Sequence, residues 1–306
     1  MIKPEKTFCD VEYAESRHLT GVDVAIFSSG HGSPYKPGVP SHAAEAPSAI
    51  RGALTWYSSN PNQFDFDTLK PVFGGKRIVD CGDIGGSLTD GAENRSKIAE
   101  ATRQILSSGA APFLIGGDDS TPISFIQAIA ETGPVTVLQI DAHIDWREEV
   151  DGERFGFSST MRRASEFENV RRIVQVGARG PGSARQTDFE EAQAWGAKFI
   201  TARMLHAHGV EQIIQEIPSG ENVILAVDVD GLDPSVVPGV ILPAFGGVTY
   251  TQMLELIMGV SEKANIVGAN FVEYVPERDP SGTGAAAIAR IICNAISASG
   301  PIRQST

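Results

Sequence analysis

Three short stretches hold carboxylates and an imidazole at spacings that suit metal ions: "IGGDDSTP" (115–122), "DAHID" (141–145) and "DVDGLDP" (228–234). In extended backbone alternate side chains share a face. Asp141, His143 and Asp145 therefore point one way, and Asp228 and Asp230 do the same on their own strand. So many carboxylates at strand ends repel one another unless cations sit among them. Mostly carboxylate ligands with one imidazole suit hard or borderline divalent ions such as Mn²⁺, and paired ions that share carboxylates lie roughly 3.5–4 Å apart. Taken singly, "DAHID" and "DGLDP" also read as ordinary acidic turns. Their combination at the ends of separate strands points to a metal pair. An EF-hand is excluded, because "DVDGLDPSVVPG" places its glycine and prolines wrongly and lacks the closing Glu.

The elements that must position these residues are legible as short apolar runs. They are "VDVAIFSSG" (22–30), "RIVDCGDIGG" (77–86), "APFLIGGDD" (111–119), "VTVLQIDAHID" (135–145), "VRRIVQVGARG" (170–180), "AKFITA" (197–202), "ENVILAVDVDGLDP" (221–234) and "NIVGANFVEYVP" (265–276). Between them, segments such as "RSKIAEATRQILSSG" and "TQMLELIMGVSEKA" carry helical periodicity. Alternating β and α elements predict an α/β fold, a parallel sheet covered by helices on both faces, with ligands bound beyond the carboxyl ends of the strands. No linker or repeat divides the 306 residues, so one domain over 1–306 is predicted. The turn-rich segment 28–63 reads as a long ordered loop followed by a helix, a place where active-site loops commonly lie; a plain surface excursion reads equally well.

Composition narrows the function classes. A net charge of −13 works against binding phosphate backbones and suits a cationic ligand. No run approaches the roughly 18 apolar residues of a membrane span and no secretory h-region opens the chain, so it is read as cytoplasmic. Three cysteines without CxxC spacing, Cys9, Cys81 and Cys293, predict neither a disulfide framework nor a thiolate metal site.

"GGDDS", "DAHID", "DVDGLDP" and the late "FVEYVPERD" together resemble the four signatures of the ureohydrolase superfamily of arginases, agmatinases and guanidino-acid hydrolases, in an order that runs from about residue 20 to 298. The resemblance implies a three-layer αβα sandwich with an eight-stranded, mainly parallel sheet, assembled as trimers or hexamers. It also implies two divalent ions per protomer, Mn²⁺ or Ni²⁺, bridged by a hydroxide that attacks a guanidinium carbon and releases urea and an amine. By position Asp141 and Asp228 would bridge both metals, Asp119 and Asp145 would complete one site, and His143 and Asp230 the other. Glu273 stands where the family pairs a carboxylate with the substrate's guanidinium.

Two departures follow from the same comparison. The family's first signature commonly reads Gly-Gly-Asp-His-Ser, with a ligand histidine where this chain has Asp119; Asp118 then falls on the non-ligand aspartate that holds the turn. Five carboxylates and a hydroxide exceed two divalent cations by two charges instead of one, which predicts a more alkaline optimum or a shifted metal preference. The family's proton-shuttling histidine aligns with Phe157. His31 in "SSGHGSPYKPG" is the expected replacement, with His206 and His208 weaker candidates. Trp146, Phe155 and Phe157 crowd the region after "DAHID", and Trp146 and Phe157 are expected to contact a less polar cationic substrate than arginine: agmatine, a guanidino acid, guanidine or an alkylated biguanide such as metformin. The competing reading is a weak or silent subunit that supports an active paralogous partner.

Overall fold

The computed structural model describes residues 1–54 and 60–302; the part of the 28–63 segment at 55–59 lies outside the described residues. Its strands are β1 (Glu12–Tyr13), β2 (Val24–Ser29), β3 (Phe64–Asp65), β4 (Lys70–Pro71), β5 (Ile78–Asp83), β6 (Ala111–Gly116), β7 (Val135–Ile140), β8 (Val170–Val176), β9 (Lys198–Ile200), β10 (Asn222–Asp228) and β11 (Asn265–Val272). Each of the eight apolar runs becomes one strand of a single sheet, in the order β1-β5-β2-β6-β11-β10-β7-β8-β9, with all neighbours parallel. The sheet has nine strands where eight were expected. The ninth, β1, is two residues long, pairs only with β5 and carries no apolar run to betray it. β3 and β4 form a separate antiparallel hairpin.

Both faces of the central strands are covered, which is why they are apolar without alternation. On β10, Val223, Leu225 and Val227 enter one core with the helices Tyr250–Lys263 and Thr283–Ala298. Ile224 and Ala226 enter the other, with the helices Gly91–Ser107 and Pro122–Ala130. Helix Gly91–Ser107 starts where the Asp90 carboxylate accepts from the Glu93 N–H, and it buries Ile98, Ala101, Thr102 and Ile105 along one stripe. Helix Tyr250–Lys263 opens on a capping box between Thr249 and Gln252. No helix among the described residues is long and apolar enough to cross a membrane.

The long loop after β2 is tied down at its far end. Arg51, on helix Ala46–Gly52 and 2% exposed, makes a forked pair with Asp80 (2.7 and 3.0 Å) and reaches Asp83 at 2.5 Å. Losing one partner of such a buried pair costs about 3–5 kcal/mol, because the other charge is left unpaired. The loop itself folds back over residues 156–158: Ser158 N–H donates to the Tyr35 hydroxyl at 2.9 Å, and the rings of Tyr35 and Phe157 lie 4.5 Å apart.

Candidate metal centre and guanidinium site

The four strands whose ends carry the chemistry, β6, β11, β10 and β7, are consecutive in the sheet. Register does the rest. Val227 pairs with Ile140 and Asp228 with Val272, so Asp228 emerges beside Asp141 on one side and Glu273 on the other. Gly231 in "DVDGLDP" permits this closeness: a Cβ there would lie 2.5 Å from the Asp141 nitrogen.

Two ligand triads result, each with one ligand atom per residue and all such atoms within 4.8 Å: Asp141, His143 and Asp230, and Asp119, Asp141 and Asp228. Asp141 belongs to both. Asp145 lies alongside rather than in either triad; the Gln139 amide donates to Asp141 Oδ2 (2.6 Å) and to Asp145 Oδ2 (3.1 Å) and so ties the two carboxylates together. The expected bridging role of Asp228 has less geometric basis, since it joins only the Asp119 group.

The electrostatics call for cations. Asp119, Asp141, Asp145, Asp228 and Asp230 are all buried. Burial, then mutual repulsion, pushes Asp119, Asp145 and Asp228 well above the usual carboxylate range, and Asp230 also rises. Burial opposes charge on His143 too, yet Asp141 and Asp230 push it up to about 11, and hydrogen bonds hold Asp141 low despite its burial. Asp119 Oδ2 is buried with no hydrogen-bond partner. An orphaned carboxylate oxygen facing other carboxylates is the donor a divalent ion would satisfy, so these residues fit the expected metal pair. Asp118 turns away from it and accepts from the Ser120 N–H (3.1 Å) and hydroxyl (2.5 Å), fixing the turn that presents Asp119.

Glu273 is held as a clamp. Its backbone is left-handed (φ 69°), as is that of Asp145 (φ 44°), a strained state that persists where surrounding contacts fix it. Its N–H donates to Gly117 O (2.8 Å), its Oε1 accepts from the Asp119 N–H (2.8 Å), and its Oε2 lies 2.5 Å from His42 Nε2. A narrow cleft of about 60 Å³ joins Glu273 to His143, Asp145, Asp228 and Asp230. Outside it opens a cavity of about 340 Å³ walled by Tyr35, Val39, Pro40, Leu88 and Phe157, with His42 on its rim. A larger cavity of about 670 Å³ lies at the N-terminal sheet edge and contains none of these residues.

Two expectations are corrected by position. Trp146 does not face the substrate space: it is 1% exposed and packs in the core against Trp195, ring centroids 6.0 Å apart. The chain has left β7 by then, and the left-handed backbone at Asp145 carries the next side chain into the core. His31 lines the outer cavity with its ring against Gly86, and it is not among the residues lining the cleft. The histidine that reaches the site is His42, which sequence reasoning missed because its loop has no periodicity. Phe157 does line both spaces, whereas Phe155 stacks on Arg95, whose guanidinium carbon lies 4.1 Å from the ring centroid. His206 bonds the Gly246 and Gly247 carbonyls, away from the cleft. Gln139 was findable, as it precedes Asp141 by two residues on the same strand face.

The comparisons with known proteins agree with this geometry. The Arginase family model matches residues 24–297. The chain is 31% identical to a mitochondrial agmatinase of Gallus gallus over 75% of its own length and 66% of that protein's, just under two thirds. It is 31% identical to an agmatinase of Chromobacterium violaceum over 91% of its length and 84% of that protein's. The solved structure of proclavaminate amidino hydrolase from Streptomyces clavuligerus superposes with a TM-score of 0.83, at 25% identity and with 96% of each chain covered. By fold, by site and by sequence, the chain belongs to the arginase family.

Proposed function

We propose that the protein is a cytoplasmic, metal-dependent amidinohydrolase that cleaves a guanidino C–N bond, giving urea and an amine, or guanylurea from a biguanide. The observation that carries this reading is the placement of Glu273, strained and tethered through both oxygens, across one narrow cleft from two ligand triads. The relatives named as agmatinases support the substrate class. Two divalent ions, Mn²⁺ or Ni²⁺, would be held by Asp119, Asp141, His143, Asp145, Asp228 and Asp230, and when bound they supply a water ionised near neutral pH. Glu273 pairs with the planar guanidinium and aims its carbon at the cleft, and Asp145 accepts a proton there. The apolar walls of the outer cavity, Phe157 among them, favour a substrate with an alkyl rather than an amino-acid tail.

A silent subunit that supports a paralogous partner is the weaker reading, because five of the six expected ligands gather in two triads and Asp119 Oδ2 has no hydrogen-bond partner. Assembly is proposed as a homo-oligomer, trimer or hexamer, with a hetero-oligomer as the form the silent reading would require. The deciding experiment is a product-release screen with Mn²⁺ and with Ni²⁺, reading urea from guanidino compounds and guanylurea from biguanides. Turnover of at least one is expected, and no release from any compound by a metal-loaded chain sinks the proposal.

The Asp119 substitution is proposed to set metal choice. Imidazole suits nickel better than a carboxylate does, and an added carboxylate suits the harder manganese ion. Asp119→His is expected to raise the Ni:Mn ratio bound after dialysis against an equal mixture, read by elemental analysis. An unchanged ratio removes Asp119 from the account of metal preference.

A further inference from the structure

We propose that His42 is the proton donor to the departing amine in this site. The inference rests on the amidinohydrolase reading and adds a residue to it. His42 ends the loop that folds over the cleft, and the neighbouring backbone is packed without slack: Ala43 is buried, and a Cβ on Gly30 would lie 2.7 Å from the Ala44 carbonyl. The imidazole is therefore delivered by a fixed segment. Its Nε2 stands 2.5 Å from Glu273 Oε2, and its ring meets Phe157 edge-on at 5.5 Å and 88°. Phe157 itself lines both the cleft and the outer cavity, so the imidazole stands where the two spaces meet. The His42 side chain is 26% exposed, toward the outer cavity, which gives it a route to solvent protons.

The charges around His42 favour its protonated form. Burial opposes it, but the hydrogen bond and charge of Glu273, with Asp118 from the end of β6, outweigh both burial and the opposing Arg278, and the imidazole is held above its ordinary range. His31, Lys36 and Asp151 lie further round the same cavity. A group paired with Glu273 lies next to any guanidinium that Glu273 binds. As the C–N bond breaks, its electron pair goes to nitrogen, and that nitrogen takes the proton from His42 Nε2. Over the whole reaction the water oxygen becomes the urea carbonyl and both water protons end on the product ammonium, one of them by way of His42.

The test compares the metal-loaded wild type with His42→Gln and His42→Ala on a compound that the wild type hydrolyses. Gln preserves a donor toward Glu273 but does not titrate. His42→Gln is expected to lower kcat by about 10²–10⁴-fold with little change in KM. It is also expected to abolish the alkaline fall of kcat, which in the wild type follows loss of the His42 proton above the usual histidine range near 6.5. Added imidazole is expected to restore part of the turnover of His42→Ala. Retention of kcat within about twofold by His42→Gln, or an alkaline limb that persists in it, overturns the proposal and leaves His42 as a tether for Glu273. A wild type that releases neither urea nor guanylurea fails the amidinohydrolase reading, and the donor role falls with it; product release with a fully active His42→Gln fails the His42 proposal alone.

Discussion

Asp141→Ala is expected to lower kcat/KM by on the order of a thousandfold or more and to bring bound divalent metal from two ions per protomer to below one. The reason is topological: Asp141 is the one residue common to both ligand triads, so its loss opens both at once. The change should not unfold the protein. Asp141 Oδ1 accepts from the His143 N–H at 2.6 Å and Oδ2 from Gln139 at 2.6 Å, and losing these costs roughly 1–3 kcal/mol of desolvated donors. Removing one of five buried, mutually repelling carboxylates works the other way. The metal-free variant should therefore melt within a few degrees of the metal-free wild type, while the stabilisation that added metal gives the wild type, about 4 kcal/mol at a thousandfold excess over Kd, is largely lost. Elemental analysis and thermal melts with and without chelator decide it. A variant that keeps two tightly held ions contradicts the assignment of Asp141 to both positions.

The large features of the fold were legible because two signals coincide. Each central strand is buried on both faces and so reads as an unbroken apolar run, and each ends abruptly where the chain turns toward the ligand site. β1 had neither signal. Within the site, strand alternation singled out Asp141, His143, Asp145, Asp228 and Asp230, although β7 ends at Ile140 and β10 at Asp228, and it is the turns beyond those strand ends that place the remaining side chains. The reading failed at the residue after Asp145. Asp145 takes a positive φ, which ordinary strand geometry does not anticipate, and Trp146 is carried into the core. The loop after β2 is the harder case. Its path depends on contacts such as Tyr35 with Ser158 and Arg51 with Asp80, whose partners are remote in sequence, so nothing local distinguished His42 from His31.

Glu273→Gln separates substrate recognition from metal binding. The amide keeps the size of the carboxylate, and its oxygen can still accept from the Asp119 N–H, while the bond from the residue 273 nitrogen to the Gly117 carbonyl, which holds the left-handed backbone, is untouched. Burial already pushes the Glu273 carboxyl upward, so neutralising it relieves desolvation and stability should hold or rise. What disappears is the anion that faces a guanidinium in a water-poor cleft. Breaking such a charged, hydrogen-bonded pair costs about 2–5 kcal/mol, which corresponds to a fall in kcat/KM of roughly 30- to 5,000-fold. The pairing exists in the bound ground state as well as during reaction, so KM should rise; loss of aim at the guanidinium carbon should lower kcat with it. Bound metal should stay at two ions per protomer, the reverse of Asp141→Ala. A Gln variant with kcat/KM within tenfold of the wild type would assign guanidinium recognition to another group, and a Gln variant that loses metal would make Glu273 a support for Asp119 through its N–H rather than a partner of the substrate.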